Sequence, residues 1–193
     1  MNRFPEHIRS NEVTAVTVAQ GIHRMTVEEY VQVVRDFGWE STELVEGVVY
    51  DVASEYNRHA WTVMTVLDAV RTAFPHDVVR NVGNVHLDPA SLFAPDVHVI
   101  DGDFVQDPDW VIPASAVKLV IEVSVTTQLH DRGAKLIAYA KGGIAEVWLI
   151  DPRPEAGELV RYRDPGGASY GTVDRFDVGE NAAALDLAAI FRR

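Results

Sequence analysis

Three side chains in the middle of the chain have the types and the spacing to do chemistry together. Asp96 lies in the apolar run Phe93-Ala-Pro-Asp-Val-His-Val-Ile100, and Glu122 lies in the more apolar run Lys118-Leu-Val-Ile-Glu-Val-Ser124. Lys135 follows in Asp131-Arg-Gly-Ala-Lys-Leu-Ile-Ala-Tyr139. An ionised carboxylate on a buried strand is costly unless positive charge meets it. For two such groups side by side, the simplest shared partner is a divalent metal ion. Magnesium or manganese, held by a few oxygen ligands, keeps positions open for water and substrate. Such an ion neutralises charge building on the non-bridging oxygens of a phosphodiester and activates a water at neutral pH. A nearby lysine stabilises the transition state or orients the nucleophile. The residues therefore point to one site that cuts a phosphodiester.

The elements that must position these groups follow from periodicity. Phe93 to Ile100 and Val117 to Val125 read as strands, the second so apolar that it is expected at the centre of a sheet. Asp131 to Lys141 reads as a helix closed by Gly142-Gly143, and Glu146 to Asp151 as a strand stopped by Pro152 and Pro154. Upstream, Thr26 with Glu29 has the spacing of a capping box at the start of a helix ended by Gly38. Glu43 to Val52 reads as a hairpin turning at Glu46-Gly47. In Asn57 to Phe74, His59, Val63, Val66, Leu67 and Val70 recur at helical spacing. Val78 to Leu87 alternates like one half-buried strand, and Asp88 to Ser91 turns. Downstream, Leu159 to Arg163 and Tyr170 to Phe176 form a hairpin across a Gly-Gly turn, and Leu185 to Phe191 reads as a short terminal helix. The fold class expected is α/β: one mixed central sheet flanked by helices, with extra strand hairpins at its N- and C-terminal sides.

Bulk properties narrow the setting. The 193 residues suit one domain, 25–193, behind an N-terminal arm of weak periodicity, 1–24. Seventeen basic residues against 29 acidic ones give a net charge of -12. That balance argues against broad attraction to a polyanion, though not against a local basic groove. With no cysteine, disulfides and thiolate metal sites are excluded. No apolar run approaches membrane-spanning length and the N-terminus has no signal-peptide pattern, so a cytoplasmic location is expected.

Pro95-Asp96 followed by Glu122-Val123-Ser124 resembles the PD-(D/E)XK nuclease superfamily, with Ser124 where the usual lysine stands. Four further segments extend the likeness: Glu43-Leu-Val-Glu-Gly47, His59 early in the long helix, Asp131 to Tyr139, and Gly143-Ile-Ala-Glu-Val-Trp-Leu-Ile-Asp-Pro152. The combination is similar to the Uma-type family of putative restriction endonucleases, in which the lysine has moved from the strand to the helix. The likeness spans roughly residues 25 to 190. It implies a restriction-endonuclease-like fold and a metal-dependent endonuclease acting on DNA. It implies Asp96 and Glu122 as ligands of Mg2+ or Mn2+ and Lys135 as the migrated catalytic lysine. Glu43 becomes an auxiliary ligand or water-holder, and His59 a residue that touches substrate or braces Glu43. Val125-Thr126-Thr127 departs from the acidic or proline-containing turn that often follows the glutamate. Cutting both strands is simplest with two sites, so a homodimer is expected.

Each assignment has a plainer rival. Asp96 could cap a turn after Pro95. Lys135 could pair only with Asp131, four residues away. Glu43 could be solvated, and His59 a satisfied structural histidine. Trp148 and Tyr139 read as core rather than base-stacking platforms. Glu146, Asp151 and the acidic loop from Asp101 to Asp109 read as surface, with Arg132 the best extra candidate for a phosphate contact. The rival for the whole chain is a binding or assembly module that keeps the fold and does no chemistry.

Overall fold

Among the described residues, backbone pairing divides all but one short strand pair between two mixed sheets, with three helices packed on their faces. The structure is a computed structural model. It describes residues 23–38, 41–52, 57–104, 111–124, 129–153, 157–177, 181–182 and 185–186, without the side chains of 129–132 and of the last four. The N-terminal arm falls almost wholly outside them.

Helix α1 (Val27–Phe37) begins on the expected capping box: Thr26 accepts from the Glu29 amide, and the Glu29 carboxylate accepts from the Thr26 amide. Strands β1 (Thr42–Val45) and β2 (Val48–Asp51) make the expected hairpin. Its turn puts Glu46 at φ 47° and Gly47 at φ 80°. Two positive φ values match the turn's twist to that of the strands. A Cβ on Gly47 would also lie 2.6 Å from the Arg24 Cβ, so the position has no room for a side chain. Helix α2 (Asn57–Ala73) follows and ends before Pro75.

The stretch expected as one strand, Val78 to Leu87, is two. Strand β3 (Val78–Arg80) and strand β4 (Asn84–Asp88) belong to different sheets, separated by a bend at 81–83 with Gly83 at φ 116°. The same correction applies to Phe93–Ile100. Strand β5 (Ser91–Phe93) joins the first sheet, and strand β6 (Val97–Ile100) joins the second. Pro95 lies in the crossing, without an N–H to offer a ladder. Asp96 therefore stands in the bend before β6, not within a strand.

Strand β7 (Val111–Pro113) runs parallel to β4, and a single 3-10 turn (Ala114–Ala116) leads into strand β8 (Val117–Val123). Helix α3 (Leu129–Lys141) connects β8 to strand β9 (Glu146–Asp151), its parallel neighbour. Strands β10 (Glu158–Gly166) and β11 (Ser169–Asp177) are the expected C-terminal hairpin. The terminal helix is not borne out where it can be seen. Leu185–Asp186 is a short strand, β13, paired with β12 (Asn181–Ala182), and 187–193 lie outside the described residues.

The sheets run β2-β1-β5-β4-β7 and β11-β10-β9-β8-β6-β3: the expected α/β class with a mixed central sheet and flanking helices holds, and a second mixed sheet and a small hairpin stand beside it. Strand β8 is central in the larger sheet, and its alternation sets the layers. Leu119, Ile121 and Val123 pack with α2 residues Val63, Val66, Leu67 and Val70. Val117 and Val120 face the other way, into a core shared by α3 (Ala138, Tyr139), Val85 and Phe93. Helix α1 covers the smaller sheet through Val27, Tyr30, Leu44 and Leu92. By the same period of two, Glu122 emerges on the α3 side.

Candidate active site

Four elements and the bend between the sheets bring five polar side chains to the carboxyl end of β8. Strand β1 supplies Glu43, helix α2 supplies His59, the bend between the sheets supplies Asp96, β8 supplies Glu122 and α3 supplies Lys135. Glu43 sits between Thr42 and Leu44 on a strand anchored by Leu44, and its Oε1 accepts the Ala94 backbone N–H at 3.0 Å. That bond fastens the first carboxylate to the bend that carries the second.

Asp96 is held by the strand next to it. Its Oδ2 accepts the Val123 N–H at 2.6 Å and lies 3.2 Å from the His59 Nε2. His59 thus stands beside Asp96, where a contact with substrate or a brace on Glu43 was expected. The bond to Val123, beside Glu122, links both carboxylates to consecutive residues of one strand.

Lys135 reaches across to both glutamates. Its Nζ is 2.7 Å from Glu43 Oε2, 3.0 Å from Glu43 Oε1 and 3.4 Å from Glu122 Oε1. The Lys135 side chain is 24% exposed. Burial alone would lower its pKa, but Glu122 and Glu43 overcome that and hold it well above the usual lysine range. Lys135 is therefore an ammonium at any ordinary pH. It can stabilise negative charge and cannot serve as a base.

Glu122 feels the opposite balance. Burial, the largest influence, pushes its carboxyl up to about 7; Asp96 and Glu43 add to that, while Lys135 and a hydrogen bond from Tyr139 oppose it. The Tyr139 hydroxyl donates to Glu122 Oε1 at 2.5 Å. Its phenol is raised well above its usual range by burial and by the carboxylates, so it stays a donor. The tyrosine ring is core, as expected, packed edge-on against Phe93 at 5.3 Å. Its hydroxyl is a site group that the sequence reading missed. The available signal was its spacing: Tyr139 lies four residues after Lys135, on one helix face.

Two glutamates on one ammonium, with Asp96 close by, leave a surplus of negative charge in a mostly buried place. An all-oxygen donor set with that surplus suits a hard divalent cation, magnesium or manganese, far better than a soft metal. Among the described residues no three His, Asp or Glu side chains are gathered closely enough to cage an ion. Magnesium does not need a cage: one or two carboxylates suffice when waters and substrate phosphate complete the shell. On donor chemistry and charge, the residues fit.

Other expectations divide. Trp148 is core, 1% exposed. Asp151, expected at the surface, is buried and gripped by Arg153 through two guanidinium nitrogens. Glu146, also expected to be solvated, is half-buried between Arg161 and the Trp148 indole N–H. Lys135 turns toward Glu43 and Glu122. The side chains of Asp131 and Arg132, residues 125–128 and the loop 105–110 lie outside the described residues.

The sequence matches, over residues 27–190, the family described as Uma2, putative restriction endonuclease. The fold is similar to the crystal structure of a putative nuclease belonging to DUF820 from Anabaena variabilis. The TM-score is 0.64 at 16% identity, over 86% of this chain and 97% of that one. No curated protein matches the sequence. No helix among the described residues is long and apolar enough to cross a membrane.

Proposed function

Because the chain belongs to the Uma2 family of putative restriction endonucleases, we propose that it is a divalent-metal-dependent endonuclease that hydrolyses phosphodiester bonds in DNA. One observation carries the reading: Glu43, Asp96, Glu122 and Lys135, distant in sequence, form a single linked group at the end of the central strand. Asp96 and Glu122 would hold Mg2+ or Mn2+. When bound, the ion supplies Lewis-acid stabilisation of the phosphate and a water of lowered pKa.

The protein's own groups have separate tasks. Lys135, permanently charged and partly exposed, stabilises the negative charge that grows on the attacked phosphate. Glu43 holds the ammonium in reach and, through the Ala94 amide, keeps the bend beside Asp96 in place. His59 fixes the rotamer of Asp96. The functional unit we propose is a cytoplasmic homodimer, so that two sites cut two strands. A monomeric mass by light scattering would exclude the dimer.

The test is incubation of the purified chain with plasmid, linear duplex and single-stranded DNA in Mg2+, Mn2+ or EDTA. We expect nicking or cutting only with metal, lost in Glu122→Ala and in Lys135→Met. Intact DNA in every condition, from a folded wild type, would refute the enzyme. It would favour the second reading, a binding or assembly module. That reading draws on the fact that Lys135 already partly neutralises both glutamates.

A further inference from the structure

We infer that Tyr139 is the positioning residue of the metal-binding glutamate, fixing the plane of the Glu122 carboxylate through its hydroxyl. The inference rests on the reading of Glu122 as a metal ligand. A glutamate side chain has three rotatable bonds, and a strand fixes only where it starts. Something must choose the orientation of the carboxylate. In this molecule both described donors land on the same oxygen, Oε1: the Tyr139 hydroxyl at 2.5 Å and the Lys135 ammonium at 3.4 Å.

The two donors differ in how well they can hold a direction. Lys135 is closer to Glu43 than to Glu122, partly exposed, and at the end of a flexible stem. Tyr139 is 0% exposed, with a ring that can tilt in only a few ways. Phe93 meets that ring at an interplanar angle of 88°. Phe93 also stands immediately before Ala94, whose N–H holds Glu43, and its ring centre is 5.7 Å from the Lys135 Nζ. The tyrosine is thus clamped by the segment that organises the other acids. Hydrogen bonds to ligating carboxylates set ligand orientation, and removing such a partner typically weakens metal binding about 10- to 100-fold.

A second buried tyrosine supplies the control. The Tyr170 hydroxyl donates to the Ile144 carbonyl at 2.9 Å, in the same core but on a backbone group. Mn2+ affinity is measured by calorimetry on wild type, Tyr139→Phe, Tyr170→Phe and Glu122→Gln. We expect wild type to bind and Glu122→Gln not to. Tyr139→Phe should bind at least about tenfold more weakly, while Tyr170→Phe keeps the wild-type affinity. Equal affinity in wild type and Tyr139→Phe, or equal weakening in both tyrosine variants, overturns the inference and leaves the metal site standing. No Mn2+ binding by wild type removes the site, and the inference with it. If Tyr139→Phe does not fold, wild type labelled with carbon-13 at the tyrosine ring carbon bearing the hydroxyl decides. Mg2+ should shift the Tyr139 signal and not that of Tyr170; an unmoved Tyr139 signal refutes the role.

Discussion

Two groups of acids in this chain are treated in opposite ways. On β9 to β11 four acids each have their own arginine. Glu146 has Arg161, Asp151 has Arg153, Asp174 has Arg163 and Glu158 has Arg175, at 2.5 to 2.9 Å. At the end of β8 two glutamates share a single lysine, and a third carboxylate, Asp96, stands beside them on the Val123 N–H. Planar guanidinium groups match carboxylates one to one and close the account locally. One lysine does not balance this group: burial first, then Asp96 and Glu43, raise the Glu122 carboxyl although Lys135 opposes them. A balanced pair finishes a surface, whereas an unbalanced group is still waiting for charge. The contrast marks where a cation and a polyanionic substrate would be welcome in a protein of net charge -12.

The contrast breaks most visibly if the unbalanced group is emptied. Glu122→Ala should abolish Mn2+ binding and metal-dependent cleavage with the fold retained; calorimetry and plasmid nicking check this. Lys135→Met should lower cleavage by about 100- to 1,000-fold, the usual cost of removing one group that meets developing charge. Single-turnover cleavage reads it. Metal itself should stabilise only this end of the molecule. Mn2+ at a hundred times its Kd should add about 2.7 kcal/mol to wild-type stability and nothing to Glu122→Ala. EDTA should reverse the gain in a thermal melt.

The pH dependence sharpens the comparison. The folded carboxyl of Glu122, near 7, is raised above its unfolded value of 4.5. Between those values the native state binds the extra proton, so stability from this group is lost as pH rises from 4.5 to 7. In EDTA, Glu122→Gln should therefore gain on wild type across that window, by roughly 3 kcal/mol once above it. Denaturant melts at pH 5 and pH 8 measure it, and an equal difference at both would exclude the shift. The smallest effects belong to the balanced side. Glu146→Gln, within a half-buried pair, should cost about 1 kcal/mol. Arg175→Ala, in a more exposed pair, should cost under about 0.5 kcal/mol. Neither should change metal affinity.

Local rules carried much of the fold. The capping box at Thr26, the Glu46-Gly47 turn, helices α2 and α3, and β9 with its exact bounds were legible because each depends on neighbours in sequence. The failures share one cause. Val78–Leu87 and Phe93–Ile100 each look continuous in hydrophobicity but are split between two sheets. Apolar periodicity reports that a segment is buried, not which layer buries it. Asp151 and Glu146 were misplaced because an arginine partner makes burial tolerable: Arg153, two residues on, for Asp151, and Arg161, from the neighbouring strand, for Glu146.

The site was legible in its types more than in its pairings. Glu122 on the most apolar strand and Lys135 on the next helix were visible because their chemistry is costly where they stand. Tyr139 was hidden because a buried tyrosine in a helix looks like packing until something meets its hydroxyl. His59 was seen, and the structure sets its Nε2 beside Asp96, a neighbour the sequence did not name.

Residue types and spacing by themselves determined that carboxylates would be buried near an amine, because hydrophobic runs and helix signals are local. Only the tertiary structure decided that Ala94, Val123 and Tyr139 would hold those carboxylates, and that two glutamates would divide one ammonium. Those choices depend on the crossing between sheets at 94–96 and on the side of β8 that α3 covers, and long-range packing alone sets both.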